Sequence, residues 1–252
     1  MLPAEDATTL PLLYHLNSEP WLNLAAYADP SNEVHYGADD PAELIPLPPT
    51  NADSPVRQAL LGRRSCRRFR RHTLPSEKLA ELLEGAYGGI GLAQYLPGQT
   101  QLARPVPSAG GLYPLELYVA TQDVADVPDG LHRYSVLYHA LATVSPVACL
   151  PFIGTLLLDQ HFVEDANVLV LLSAVLPRTL NKYGPRGYRY VLLEAGHCAQ
   201  NLCLLAAEAG LGAICLGGFN DTRLNRFLGL DGRAEVVLYC VAIGFDAAKG
   251  ET

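Results

Sequence analysis

Asn181-Lys182-Tyr183-Gly184-Pro185-Arg186-Gly187-Tyr188-Arg189-Tyr190 runs straight into Val191-Leu192-Leu193-Glu194-Ala195-Gly196-His197, the opening of the longest helical pattern in this 252-residue chain. The pattern predicts a helix over residues 190–209, closed by Gly210, with apolar side chains around most of its circumference. Such a helix belongs at the centre of a domain. The ten residues before it read as a loop holding one lysine, three tyrosines and two arginines, and the chain has only two other lysines, Lys78 and Lys249. An ammonium beside a phenol stabilises phenolate, which makes Lys182 and Tyr183 a candidate general base. The alternative is an exposed lysine beside tyrosines that pack the start of the helix.

Working outward, residues 168–174 read as a buried central strand, 115–121 as a second strand, 131–141 as a hairpin and 235–243 as a last strand. A short strand at 213–216 leads through Gly217-Gly218 to a small helix over 221–228. Ser54-Pro55 is an N-cap followed by an N1 proline, opening a helix that stops at Gly62. A further helix starts at Ser76, with Leu79, Leu82, Leu83 and Ala86 at core-facing spacing, and ends at Gly88-Gly89. Helices and strands are mixed, without an internal repeat. Residues 1–53, rich in Pro, Asp, Asn and Tyr, read as an irregular arm that packs on the body through Tyr14, Trp21, Leu22, Leu24 and Tyr27, leaving 54–252 as one domain.

Composition narrows the function classes. The chain is 49% hydrophobic and 17% charged, as globular proteins are, with a formal net charge of -8. Binding a nucleic-acid backbone relies on many distributed cations, so nucleic acid is not an expected partner. Six cysteines are scattered through apolar stretches with no CxxC pair, as expected of buried thiols in a reducing compartment. The N-terminus lacks a basic segment followed by an apolar one, and the longest apolar run, near 168–176, is too short to span a bilayer. The expectation is a cytoplasmic protein without a membrane partner.

Three further segments offer chemistry. Six of the nine residues in Arg63-Arg64-Ser65-Cys66-Arg67-Arg68-Phe69-Arg70-Arg71 are arginines, a concentration that repels itself unless an anion or facing carboxylates neutralise it. That segment fits either a phosphate site or a solvated stripe paired with surface acids. Pro107-Ser108-Ala109-Gly110-Gly111-Leu112-Tyr113-Pro114 is a small-residue loop that lets backbone approach a planar ligand, or else a turn before a strand. Cys215-Leu216-Gly217-Gly218-Phe219 follows a strand with little side-chain bulk, but it is no dinucleotide fingerprint.

Taken in order, Arg63-Arg64-Ser65-x-Arg67-x-Phe69, the loop from Pro107 to Pro114, Lys182-Tyr183-x-x-Arg186-Gly187-Tyr188-Arg189-Tyr190 and Glu194-Ala195-Gly196-His197-x-x-Gln200-Asn201 resemble the nitroreductase superfamily, and within it the SagB-type dehydrogenases. The resemblance covers roughly residues 55–245 and implies an α+β fold with a mainly antiparallel central sheet wrapped by helices. It also implies an intertwined homodimer with FMN at each subunit interface. By resemblance, Arg63, Arg64, Ser65 and Arg67 hold the FMN phosphate, ribityl chain or pyrimidine edge. Pro107, Ser108, Ala109 and Gly110, from the other subunit, lie against the isoalloxazine ring, and Leu216, Gly217 and Gly218 bring a backbone N–H to flavin N5. Lys249 is the basic residue left near the C-terminus to serve as a phosphate ligand.

The SagB-type branch oxidises thiazolines or oxazolines in modified peptides to aromatic azoles. The resemblance implies that Tyr183, assisted by Lys182, takes the azoline proton while hydride passes to N5, and that a cyclodehydratase or assembly-line partner delivers the peptide. The same fold also suits a general NAD(P)H-dependent nitro or quinone reductase, and a third reading is a flavin-binding scaffold subunit of a peptide-modifying complex.

Overall fold

The computed structural model describes residues 9–18, 44–49, 54–96, 98–158 and 160–249. In chain order the elements are helices α1 (Thr9–Asn17) and α2 (Pro55–Gly62), strand β1 (Phe69–Arg70), helix α3 (Ser76–Tyr87) and the hairpin β2 (Gly91–Leu96) with β3 (Gln99–Ala103). Strand β4 (Leu115–Thr121), the hairpin β5 (Gly130–Ser135) with β6 (Ala140–Ser145), helix α4 (Leu150–Gly154) and strand β7 (Val168–Val175) follow. The chain continues with helices α5 (Pro177–Tyr183) and α6 (Arg186–Glu208), strand β8 (Gly212–Leu216), helix α7 (Asp221–Phe227) and strand β9 (Glu235–Asp246).

The main sheet is antiparallel, in the order β1-β9-β7-β4-β5-β6, with β8 also paired to β9. Side chains alternate across a strand, so β7 feeds two cores at once. Val168, Val170, Leu172 and Ala174 join the cluster that includes α3 and α6, while Leu169 and Leu171 join the cluster with α4 and α7. The sheet is therefore the middle of three layers. Burial on both faces explains why β7 reads as an apolar run interrupted only by Ser173, whose hydroxyl donates to Glu235 at 2.6 Å.

Local signals and structure agree where the signal is local. The Ser54 hydroxyl accepts from Arg57 N–H at 3.1 Å and Pro55 opens α2, as the N-cap and N1 proline imply. Two readings need correction. Residues 181–190 are mostly helical: Pro177 starts α5, Gly184 ends it at a φ of 56°, and Arg186 already lies in α6. Gly187 permits that tight joint, since a Cβ there would stand 3.1 Å from the Thr179 carbonyl oxygen. Nor is α6 buried all round, because Leu192, Leu193, Gly196, His197 and Gln200 form an exposed outer face.

Within the arm, Thr9–Asn17 is helical, and its buried His15 meets the Tyr188 hydroxyl through Nδ1 at 3.0 Å and approaches Asp221 at 3.7 Å. Tyr14 is exposed but lies edge-on to Tyr188, with centroids 6.1 Å apart. Trp21, Leu22, Leu24 and Tyr27 lie outside the described residues.

Truncating a side chain in the fully buried face of β7 leaves a cavity that the layers cannot close. Leu171→Ala is expected to lower unfolding free energy by about 2–5 kcal/mol, read as a reduced urea midpoint with an unchanged m-value.

Candidate functional site

Helix α2 ends at Arg63, whose N–H donates to the Ala59 carbonyl at 2.9 Å, and the chain then runs beside β8. Ser65 bridges Ala213, and Cys66 N–H donates to the Ala213 carbonyl at 3.0 Å. Gly212 is what lets β8 come this close, since a Cβ there would stand 2.7 Å from Cys66 Sγ. The arginine segment and the glycines that follow β8 thus belong to one region. Gly217 is exposed, and the N–H groups of Gly217 and Gly218 donate to no acceptor among the described residues. Exposed Lys249, in the turn after β9, stands near enough to Cys66 to act on its thiol.

Acidic side chains do little to neutralise the arginines. Arg71 pairs with Asp165 at 3.1 Å, Arg70 stacks on Phe245 with its guanidinium carbon 5.2 Å from the ring centroid, and Arg64 turns back to the Leu61 and Arg63 carbonyls at 2.8 and 2.9 Å. Arg63, Arg67 and Arg68 have no carboxylate partner among the described residues. A surface patch left this positive in an acidic protein favours an anion.

A second group forms around residues 107–113. Gly110 and Gly111 take φ of 64° and 65° and Tyr113 takes 44°, so the loop folds through the left-handed region that suits glycine. A Cβ on Gly110 would stand 2.7 Å from both Lys182 Nζ and the Tyr183 hydroxyl, so these two polar ends converge on the bare face of one glycine. Lys182 is exposed and Tyr183 half-buried, with the ammonium 5.3 Å from the centre of the tyrosine ring. Arg178 locks the two pieces in register, donating to the Tyr113 carbonyl at 3.2 Å and pairing with Glu116 at 2.6 Å.

Behind the loop lies Glu194, buried in the middle of α6. The Tyr87 hydroxyl accepts from Leu115 N–H at 3.2 Å and donates to Glu194 at 2.7 Å. Ser108 accepts from Tyr113 N–H at 2.9 Å and hydrogen-bonds the same carboxyl. Arg104 lies between the rings of Tyr87 and Tyr113, its guanidinium carbon 4.4 and 4.8 Å from their centroids. Burial pushes the Glu194 carboxyl above the usual carboxylate range, against the opposing hydrogen bonds of Ser108 and Tyr87 and the charge of Arg104.

The predicted residues therefore fall into two groups. Arg63, Arg64, Ser65, Arg67, Leu216, Gly217, Gly218 and Lys249 gather around β8, while Pro107, Ser108, Ala109, Gly110, Lys182 and Tyr183 gather at the start of α6. Arg186 and Cys203, which mark these ends on the helix, are about 25 Å apart at 1.5 Å per residue. Sequence reading missed Tyr87, Arg104 and Arg178, and gave Glu194 no role of its own. An acid inside an apolar helical pattern was the one available signal.

The sequence pattern of the Nitroreductase family matches residues 60–245. The chain is 33% identical over 173 residues to MJ1384 of Methanocaldococcus jannaschii, which is named as a nitroreductase, covering 69% of this chain and 83% of that protein. It is 26% identical over 144 residues to the microcin B17-processing protein McbC of Escherichia coli, covering 54% of this chain and 52% of that one. A Desulfovibrio desulfuricans protein solved in complex with FMN superposes with a TM-score of 0.55 at 22% identity, over 79% of this chain and 91% of the other. No helix among the described residues is long and apolar enough to cross a membrane.

A carboxyl whose folded-state pKa is raised favours folding when protonated and loses that contribution as pH rises through its folded-state value. Wild type is therefore expected to lose stability relative to Glu194→Gln as pH rises from the ordinary carboxylate range toward neutrality. The check is the difference in Tm between the two proteins across pH 4–8 in roughly unit steps, and a flat difference contradicts the assignment.

Proposed function

Since the chain belongs to the nitroreductase family, oxidoreductases that generally bind FMN, we propose that it is an FMN-dependent dehydrogenase that oxidises thiazoline or oxazoline rings in a modified peptide. The residues around β8 suit the cofactor: Arg63 and Arg67 lack acidic partners, and Gly217 and Gly218 carry unengaged N–H groups. Arg63, Arg64, Ser65 and Arg67 would hold its phosphate and ribityl chain, with Lys249 beside them, while Leu216, Gly217 and Gly218 would offer backbone donors to the ring. Bound FMN supplies a two-electron acceptor for hydride.

The observation that carries the reading is the meeting of Lys182 Nζ and the Tyr183 hydroxyl over Gly110. Tyr183 takes the proton from the azoline α-carbon, and Lys182, its ammonium standing over the ring, stabilises the phenolate charge. Arg178 holds the loop against the helix that bears the pair, and Glu194 fixes Ser108 from behind. A simple reductase has no need of a carbon base at this point.

Assembly as a homodimer is part of the same proposal. The exposed outer face of α6, with Leu192 and Leu193, and the exposed Val56, Leu60 and Leu61 of α2 leave apolar surface for a second copy. Two copies bring the β8 group of one to the residue 107–113 group of the other, so one cofactor meets both without crossing the length of α6. Peptide delivery would fall to a cyclodehydratase or assembly-line partner, a proposal in keeping with the likeness to McbC, whose name makes it a microcin B17-processing protein. A cytoplasmic setting fits this reading.

The similarity to MJ1384 favours a second reading, NAD(P)H-dependent reduction of nitro compounds or quinones. Mixing the FMN-loaded protein with a thiazoline-bearing peptide is expected to remove about two mass units per ring, the two hydrogens lost on aromatisation. Lys182→Ala and Tyr183→Phe should slow this about 10²- to 10⁴-fold with flavin absorbance retained. Full activity in both variants sinks the base assignment, and rapid NAD(P)H oxidation with an inert peptide selects the reductase.

Arg67→Ala tests the cofactor site apart from catalysis. Loss of a charge-assisted contact worth about 1.5–3 kcal/mol should weaken FMN binding about 10- to 150-fold, measured by flavin fluorescence on titration.

A further inference from the structure

Cys203 on α6 and Cys215 on β8 place their sulfurs 3.4 Å apart. Of the six cysteines, all reduced, Cys215 alone is only half-buried. Its sulfur is surrounded by groups that stabilise negative charge: the Cys203 thiol first, then the Tyr239 hydroxyl and the Arg63 guanidinium. Against the cost of burial these hold the Cys215 thiol down to about 7, while the hydrogen bond to Cys215 and burial push Cys203 up. Cys215 is the sulfur that gives up its proton more readily, with the Cys203 thiol in contact with it. The four other cysteines lack such an arrangement, and burial raises Cys66, Cys149, Cys198 and Cys240.

We propose that Cys203 and Cys215 are a redox-active pair, in which Cys215 reacts with a hydroperoxide and Cys203 then closes the disulfide. Cys215 Sγ attacks one peroxide oxygen, the O–O bond breaks, and a sulfenic acid forms on Cys215 with release of water or alcohol. Cys203 Sγ displaces that hydroxyl as a second molecule of water, its thiol proton leaving with it. In sum, two thiols and one hydroperoxide give a disulfide, an alcohol or water, and water, with two electrons passing from sulfur to peroxide. Closure brings the sulfurs about 1.4 Å nearer, to the disulfide length of about 2.05 Å. The new bond clamps α6 to β8 immediately before Leu216-Gly217-Gly218 and removes the thiolate that faces Arg63. Thiol chemistry here depends on neither flavin nor azoline.

The test treats the full-length protein with hydrogen peroxide, removes the excess with catalase and counts thiols in denaturant. The expected result is loss of two of the six thiols, a Cys203–Cys215 linked peptide by mass mapping, and full recovery with a thiol reductant. In Cys203→Ser, Cys215 should accumulate sulfenic acid that a 1,3-diketone captures, and in Cys215→Ser the Cys203 thiol should survive. Six surviving thiols, a link between other cysteines, or sulfenic acid that persists on Cys215 in wild type overturns the proposal. A colourless protein that still forms the link refutes the flavin reading and leaves this one standing.

Discussion

A buried carboxyl organises the middle of the molecule. Glu194 sits inside the apolar layer between α6 and the sheet, where an unpaired charge is costly, and Tyr87 and Ser108 supply its hydrogen bonds. Each of those partners is itself held, Tyr87 by the first residue of β4 and Ser108 by Tyr113 N–H. Satisfying one carboxyl therefore ties α3, α6, β4 and the residue 107–113 loop together. Through Ser108 it is tied to a loop in which Gly110, Gly111 and Tyr113 all take positive φ.

That fixed loop gives the exposed chemistry a stage. Lys182 lies on the surface, so its position depends on what it packs against, and it packs against Gly110. Arg178, four residues earlier on α5, holds the Tyr113 carbonyl and so sets the spacing between helix and loop. At the opposite end of α6 the arginine segment follows β8 through the close approach of Cys66 to Gly212. Between the two ends, the outer face of α6 keeps leucines, a glycine and a histidine in the open.

Parts of this were readable without coordinates, and the reasons are local. The Ser54-Pro55 start of α2 is a short-range hydrogen bond plus a fixed φ, and β4 matched its expected residues because its apolar run ends in turn residues. Helix α5 went unread because its seven residues look like a polar loop, and only Pro177 and Gly184 mark its ends. The hairpin of β2 and β3 lacks the alternation that announces a strand, and it stands apart from the main sheet. Helix α6 was legible in kind but not in exposure, since periodicity alone does not say how many faces the rest of the chain covers.

The amino-acid order by itself determined the mixture of helices and strands, the central strand and the long helix, because periodicity and caps are properties of neighbouring residues, and the order of its motifs carried the resemblance that implied the fold class and the family. Only the tertiary structure decided that Lys182 and Tyr183 meet Gly110, that Glu194 holds Ser108, that Arg63, Arg67 and Arg68 lack acids, and that Cys203 faces Cys215. Those pairings bring together residues far apart in the chain, or on different elements, and their distances are set by how α6 and the loops pack on the sheet. No pattern within a single segment encodes that packing.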